Sequence, residues 1–383
     1  MKPTHTRKPK KLASSTENGA AYLLNHRVIF CIGPGGVGKT TCAASLALTS
    51  AMQGKKTLVC TLDPAHRLAS ALGLETLPHH PSRIPTNNLQ DAGLAEDLPL
   101  YSMQLDVPAA FERSLDTRNL NPDSRSALSS NALYKKVVNN IEGVQTYAAV
   151  AQMLELLRDD KWETIVLDTP PTRHIQALLK APRTLIGAVE SPLFRWLLAP
   201  ASMSHKVGIR LGRQRVLNKM ASVVGLAFLK DLATFISLLG GIVDSLVHDA
   251  QDAERVLLSD SLAYLIVTTP THSRVLESLL LAKSLKRNEM NLAGFIVNRF
   301  HPIFPVALET IQKEKLSEDI SALTEKISGV ATAPSQAQIV STAQALLKSH
   351  ETYESLVDGE MESMKKLRHF LDNMCPRAPL LTI

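Results

Sequence analysis

Cys31-Ile32-Gly33-Pro34-Gly35-Gly36-Val37-Gly38-Lys39-Thr40-Thr41-Cys42-Ala43-Ala44-Ser45 is the stretch on which the reading of this chain turns. Gly33, Gly38, Lys39 and Thr40 satisfy G-x-x-x-x-G-K-[ST], the phosphate-binding P-loop pattern. Before it, Val28-Ile29-Phe30-Cys31-Ile32 is a short apolar run that predicts a buried strand. After it, residues 40–53 are rich in Ala and Leu and close at Gly54, which predicts a helix. Strand, glycine-rich turn and helix in that order are the context the motif requires. A glycine-rich strand–helix turn with a chance lysine is the competing reading, and motif and context together outweigh it.

Each residue type has its reason. Gly35, Gly36 and Gly38 let the backbone turn tightly and bring bare N–H groups against phosphate oxygens. The helix start turns its partial positive charge to the same anion. Lys39 adds an ammonium for the β- and γ-phosphates, and the Thr40 hydroxyl is a candidate Mg²⁺ ligand. Gly35, Gly36, Val37, Gly38, Lys39, Thr40 and Thr41 thus form the candidate nucleotide cradle.

Outward from the loop, the chain of 383 residues holds one large or two medium domains, and its 45% hydrophobic content can fill a core. The formal net charge of +6 is localised: Lys2, Arg7, Lys8, Lys10 and Lys11 precede the first acid, Glu17. Residues 1–18 read as a disordered, solubilising leader, with membrane or nucleic-acid contact as the rarer use of such a run. No apolar segment follows it, so it is not a secretory signal. Residues 223–243 come nearest to the ~18 apolar residues of a membrane span, but Lys230 and Asp231 interrupt them. Four cysteines without C-x-x-C spacing suggest buried thiols in a reducing cytoplasm, with no zinc site.

Further apolar runs predict strands at 57–61, 100–105, 164–168, 263–268 and 294–297, with helices between them. Residues 74–98 read as an irregular connection, 317–373 as polar helices, and 376–383 as a strand beginning at which the chain stops. The alternation predicts an α/β fold: a P-loop NTPase with a mainly parallel, doubly wound sheet. Residues 19–383 form its domain, with helical insertions at about 107–158 and 183–258.

A P-loop alone implies a nucleotide and not a reaction. Asp63 and Asp168 both follow predicted strands, where ligands of open α/β sheets sit. Asp168 fits an acid that holds Mg²⁺ directly or through water. Asp63 is placed to orient or deprotonate an attacking water. Either could instead be an N-cap at a strand–helix turn.

Gly-Pro-Gly-Gly-Val-Gly-Lys-Thr-Thr, then Asp63-Pro-Ala-His, then Asp168-Thr-Pro-Pro-Thr-Arg-His, then Asn298-Arg299 after a strand, together resemble the anion-transporting, ArsA-like ATPases. This family includes the arsenical-pump ATPase and the tail-anchored-protein targeting factor, and the likeness is nearest to its bacterial branch. The resemblance implies a soluble, cytoplasmic, Mg²⁺-dependent ATPase that couples ATP to a transport- or targeting-related partner. It makes Asp63 the water-activating acid in switch I, Thr40 the magnesium ligand, Asp168 in switch II an acid that holds magnesium through its waters, and Asn298 an adenine contact. It also implies a homodimer and either a membrane transporter or a hydrophobic client helix as partner; nucleic acid is not expected.

The chain departs from that pattern in four places. Pro34 stands where the family usually has a lysine after the first glycine. The zinc-binding C-x-x-C is absent, metalloid-binding cysteines have no equivalents, and relatives continue past the last strand. Arg173 and then Arg67 are the candidates to replace the missing positive charge, unless each pairs with a nearby acid and only shapes its loop. In the helical middle, Phe228, Leu232, Phe235 and Leu239 lie on one helical stripe. They fit core packing, a groove for a client helix, or a dimer surface. A MinD- or ParA-like recruitment switch is the rival function. A GTPase is disfavoured because no N-K-x-D follows a late strand.

Overall fold

In the computed structural model of the chain, the described residues are 19–63, 65–85, 97–105, 152–169, 172–191, 243–301 and 335–383, with a few isolated positions between them. The basic leader and the stripe at 228–239 lie outside them.

Apolar runs form strands where expected. β1 (Val28–Ile32) and β2 (Thr57–Thr61) match their predicted runs residue for residue. The connection at 74–98, expected to be irregular, contains a two-residue strand, β3 (Ser82–Arg83), antiparallel to β4 (Leu100–Gln104). So short an edge pairing has no periodicity to announce it. β5 (Thr164–Asp168) again matches, while β6 (Leu262–Thr268) and β7 (Leu292–Val297) begin slightly earlier than predicted. The last strand, β8 (Leu380–Thr382), lies parallel to β7.

The strands form one sheet in the order β3-β4-β2-β5-β1-β6-β7-β8, parallel at every pairing except β3–β4. Side chains alternate across it. Val28, Phe30 and Ile32 of β1 join Leu58, Ile165 and Tyr264 in one core, and Ile29 and Cys31 join Val59, Val166 and Leu265 in another. α1 (Lys39–Met52) packs on the second core through Cys42, Ala43 and Ala47. The first is covered by α4 (Val243–Leu257), α5 (His272–Arg287) and α6 (Gln336–Met374), through Leu257, Leu281 and Phe370. Both faces are therefore roofed by helices, as a buried parallel sheet requires.

Two further helices lie next to the site. α2 (Arg67–Ala71) follows the Asp63 loop, and α3 (Thr172–Glu190) follows β5. α3 runs through Pro182 and across residue 183, where the sequence predicts the start of a helical insertion. Packing of α3 along α4, with an Arg183–Glu254 ion pair, overrides the local preference for a break. From residue 336 on, the polar helices expected at 317–373 are a single helix, α6, started by a capping box between Ser335 and Gln338.

Register places the site. Cys31 of β1 and Thr61 of β2 are both partners of Asp168 on β5. The carboxyl ends of these adjacent strands therefore bring the P-loop, Asp63 and Asp168 together.

Candidate nucleotide-binding site

The P-loop is shaped by close backbone passage. A Cβ on Gly33 (φ 147°) would lie 2.1 Å from the carbonyl oxygen of Val267 on β6. Gly38 (φ 92°) is left-handed, and its Cβ would lie 2.2 Å from Asn298 Nδ2. Asn298 follows β7; its backbone N–H donates to Thr268 O (2.8 Å) and its Nδ2 donates to Val37 O (2.9 Å). Its Oδ1 accepts from Arg299 N (2.9 Å). The residue that the resemblance assigns to adenine thus braces the P-loop from the neighbouring strands.

Lys39 is buried at the start of α1, and its Nζ donates to Pro34 O (2.9 Å) across the loop. Burial lowers its pKa; Asp168 opposes that shift, Arg67 adds to it, and Asp63 and Glu277 oppose it. The ammonium therefore sits within the field of several charged groups at the strand ends.

Asp168 Oδ2 accepts from Thr40 Oγ1 (2.9 Å) and from Thr61 Oγ1 (3.2 Å). Its Oδ1 is buried and has no hydrogen-bond partner among the described residues. Burial pushes the carboxyl up to about 6, against the pull of the two hydroxyls and Lys39. An orphaned buried carboxylate oxygen beside a threonine hydroxyl suits a hard cation that keeps its own waters, so the donor set fits Mg²⁺.

Thr61 belongs to none of the sequence motifs, yet it is central to the site. Its hydroxyl also accepts from the backbone N–H of Asp63 (3.0 Å), so it joins the Asp168 and Asp63 loops. Asp63 Oδ1 accepts from Ala65 N (3.0 Å), and Oδ2 lies 3.7 Å from Arg67 Nη1. Thr169 Oγ1 donates to Cys31 O (2.8 Å) and ties the exit of β5 to the P-loop entrance. The only sequence signal for Thr61 is a threonine at a strand exit, whereas Thr169 lies within the Asp168 motif. Arg173 lies in the first turn of α3, and its side chain is outside the described residues. Thr41 is exposed on α1.

Cys31, Cys42, Cys60 and Cys375 are buried free thiols. Burial pushes Cys42 up to about 11 and raises Cys31 and Cys60 well above the usual thiol range. One other group of candidate metal ligands occurs among the described residues, His248, Asp249 and Asp252 on α4. There Asp252 is already bound to Arg158 (3.1 Å) and Arg255 (2.8 Å), cations that compete with a metal.

The family model for the anion-transporting ATPases matches residues 26–327 of the chain. This chain belongs to the anion-transporting ATPase family. It is 27% identical over 289 residues to the protein named ATPase ARSA1 of Chlamydomonas reinhardtii, covering 70% of this chain and 34% of that one. It is 30% identical over 157 residues to ATPase GET3A of Arabidopsis thaliana, covering 41% of this chain and 38% of that one. It is 31% identical over 165 residues to ATPase get3 of Aspergillus terreus, covering 43% and 45%. The chain thus spans about a third to just under half of the length of these relatives. The family expected from the motifs is the one found, and the sheet with its P-loop is the fold expected of an anion-transporting ATPase.

The bracing of the loop has a testable consequence. Gly38→Ala places a Cβ against Asn298 in a left-handed backbone, and strain of this kind is worth roughly 1–3 kcal/mol. ADP affinity, read by fluorescent-ADP titration, is expected to fall about tenfold or more. Adding Asn298→Ala should relieve the collision, so the double change is expected to cost less ADP affinity than the two single changes summed. Wild-type affinity in Gly38→Ala would contradict the geometry.

Proposed function

We propose that this anion-transporting ATPase binds Mg·ATP at the carboxyl ends of β1, β2 and β5 and hydrolyses it. The observation that carries the reading is one connected set of side chains. Thr40 and Thr61 both donate to Asp168, and Thr61 receives the backbone N–H of Asp63. Lys39 is buried beside them.

In this reading the backbone from Gly35 to Thr41 cradles the phosphates, and Lys39 exchanges its bond to Pro34 for phosphate oxygens. Thr40 and Asp168 hold the magnesium ion, Asp168 with the oxygen that lacks a partner among the described residues. Held there, the ion would neutralise negative charge on the phosphates. Asp63 accepts the proton of the attacking water. Arg173, just beyond β5, is assigned a second positive charge at the γ-phosphoryl group. Asn298 retains a second N–H and a second lone pair beyond its bonds to Val37 and Arg299, and these serve the purine edge.

The switch loops are the output. Thr61 couples the Asp63 loop to Asp168, so loss of γ-phosphate is felt at both. We propose a homodimer that drives a transport- or targeting-related partner from the cytoplasm, where four buried free thiols are at home. No helix among the described residues is long and apolar enough to cross a membrane. Trivalent metalloids are not assigned as ligands, because all four thiols are buried, and burial holds Cys31, Cys42 and Cys60 protonated.

The test is phosphate release from ATP with Mg²⁺ and with EDTA, repeated with liposomes, DNA or a hydrophobic helical peptide. Mg²⁺-dependent release raised by the peptide is expected. Stimulation by liposomes alone would favour a recruitment switch, and no release under any condition would refute the ATPase reading.

A further inference from the structure

We propose that Arg67 is a γ-phosphate sensor that exchanges its partner Asp63 for the terminal phosphate of bound ATP, and so frees Asp63 for the attacking water. The inference rests on the ATP-site reading above and concerns how that site is regulated.

The pair that must break is a loose one. Arg67 Nη1 lies 3.7 Å from Asp63 Oδ2, longer than an N–H···O hydrogen bond. The Arg67 side chain is 65% exposed and that of Asp63 18%. Solvated pairs of this kind add little to stability, so little opposes release.

Asp63 does not depend on Arg67 for its position. Oδ1 accepts from Ala65 N, and the Asp63 N–H donates to Thr61 Oγ1. When the guanidinium leaves, the carboxylate stays in the loop that is tied to Asp168. One oxygen, Oδ2, then loses its cation and is open to the attacking water.

Arg67 also has somewhere to go. It pairs with Asp63, whose N–H is held by the Thr61 hydroxyl that also donates to Asp168 beside Thr40, so it stands at the edge of the P-loop site. A planar guanidinium suits phosphate oxygens better than a point charge does. Pro34 offers the phosphate no donor, because its ring nitrogen has no N–H. Arg274 is less available than Arg67, since it pairs with Glu277 at 3.2 Å.

The experiment compares the affinities of the full chain for AMP-PNP and ADP with Mg²⁺, by displacement of fluorescent ADP. Arg67→Ala is expected to weaken AMP-PNP by about tenfold, the scale of one charge-assisted hydrogen bond, and to leave ADP unchanged. Asp63→Asn removes the competing carboxylate and should tighten AMP-PNP without moving ADP. The double variant should match Arg67→Ala. Retained ADP affinity shows that each variant is folded. Equal shifts for both nucleotides in Arg67→Ala, or an unchanged AMP-PNP to ADP ratio in Asp63→Asn, would overturn the exchange. If the wild type binds neither nucleotide, or Lys39→Ala binds both as well as wild type, the ATP-site reading itself fails.

Discussion

Asp63→Asn is expected to keep nucleotide binding and to lose turnover by about 10²–10⁴-fold, the range of general acid–base catalysis. The substitution keeps the shape of the side chain and an oxygen that can accept from Ala65 N. It leaves the Asp63 N–H on Thr61, so the loop geometry has no reason to change. What it removes is a group able to take a proton. Phosphate release at saturating ATP, with ADP affinity measured separately, separates the two effects. Turnover equal to wild type would remove Asp63 from the mechanism. A parallel loss of ADP affinity would mean that the residue shapes the loop rather than activating water.

Asp168→Asn carries the second large effect, on the metal. Asp168 is the buried acid whose Oδ1 has no partner among the described residues. Replacing a carboxylate that holds a metal through its waters costs typically about 10–100-fold in metal affinity. Titration of ADP binding with Mg²⁺ should show a loss of that size. Unchanged Mg²⁺ dependence would take Asp168 out of the metal site.

The same residue sets a pH dependence. Its folded pKa of about 6 lies above the unfolded carboxylate value of about 3.9. Between those values the folded state holds a proton that the unfolded chain has released. Stability from this group therefore falls as pH rises through that window and is level above it. In EDTA, the stability of wild type relative to Asp168→Asn should drop by roughly 2 kcal/mol from pH 4 to pH 7. Denaturant unfolding of both proteins at each pH measures it. A difference that stays flat or rises with pH would show that burial does not raise the pKa of Asp168.

Much of this molecule is legible in short stretches of its chain. The P-loop and its flanking strand and helix are encoded within a few neighbouring residues, as are the runs at 57–61 and 164–168. Strand periodicity and glycine position act locally, so sequence determines them. The family follows from four short motifs for the same reason. The order of strands and helices also announces a parallel sheet.

Sequence alone could not show what crosses between distant segments. Thr61 joins Asp63 to Asp168 because parallel register sets Thr61 opposite Asp168, more than a hundred residues later. Asn298 braces Val37 because β6 and β7 follow β1 in the sheet. Pro182 stays inside α3 because α4 packs beside it. The β3 edge is too short to have a period. The pairing of Arg67 with Asp63 depends on how the chain turns after β2. Local pattern determined the elements and the chemistry of the P-loop. Register and packing, which bring remote side chains within hydrogen-bond reach, decided which of those groups act together.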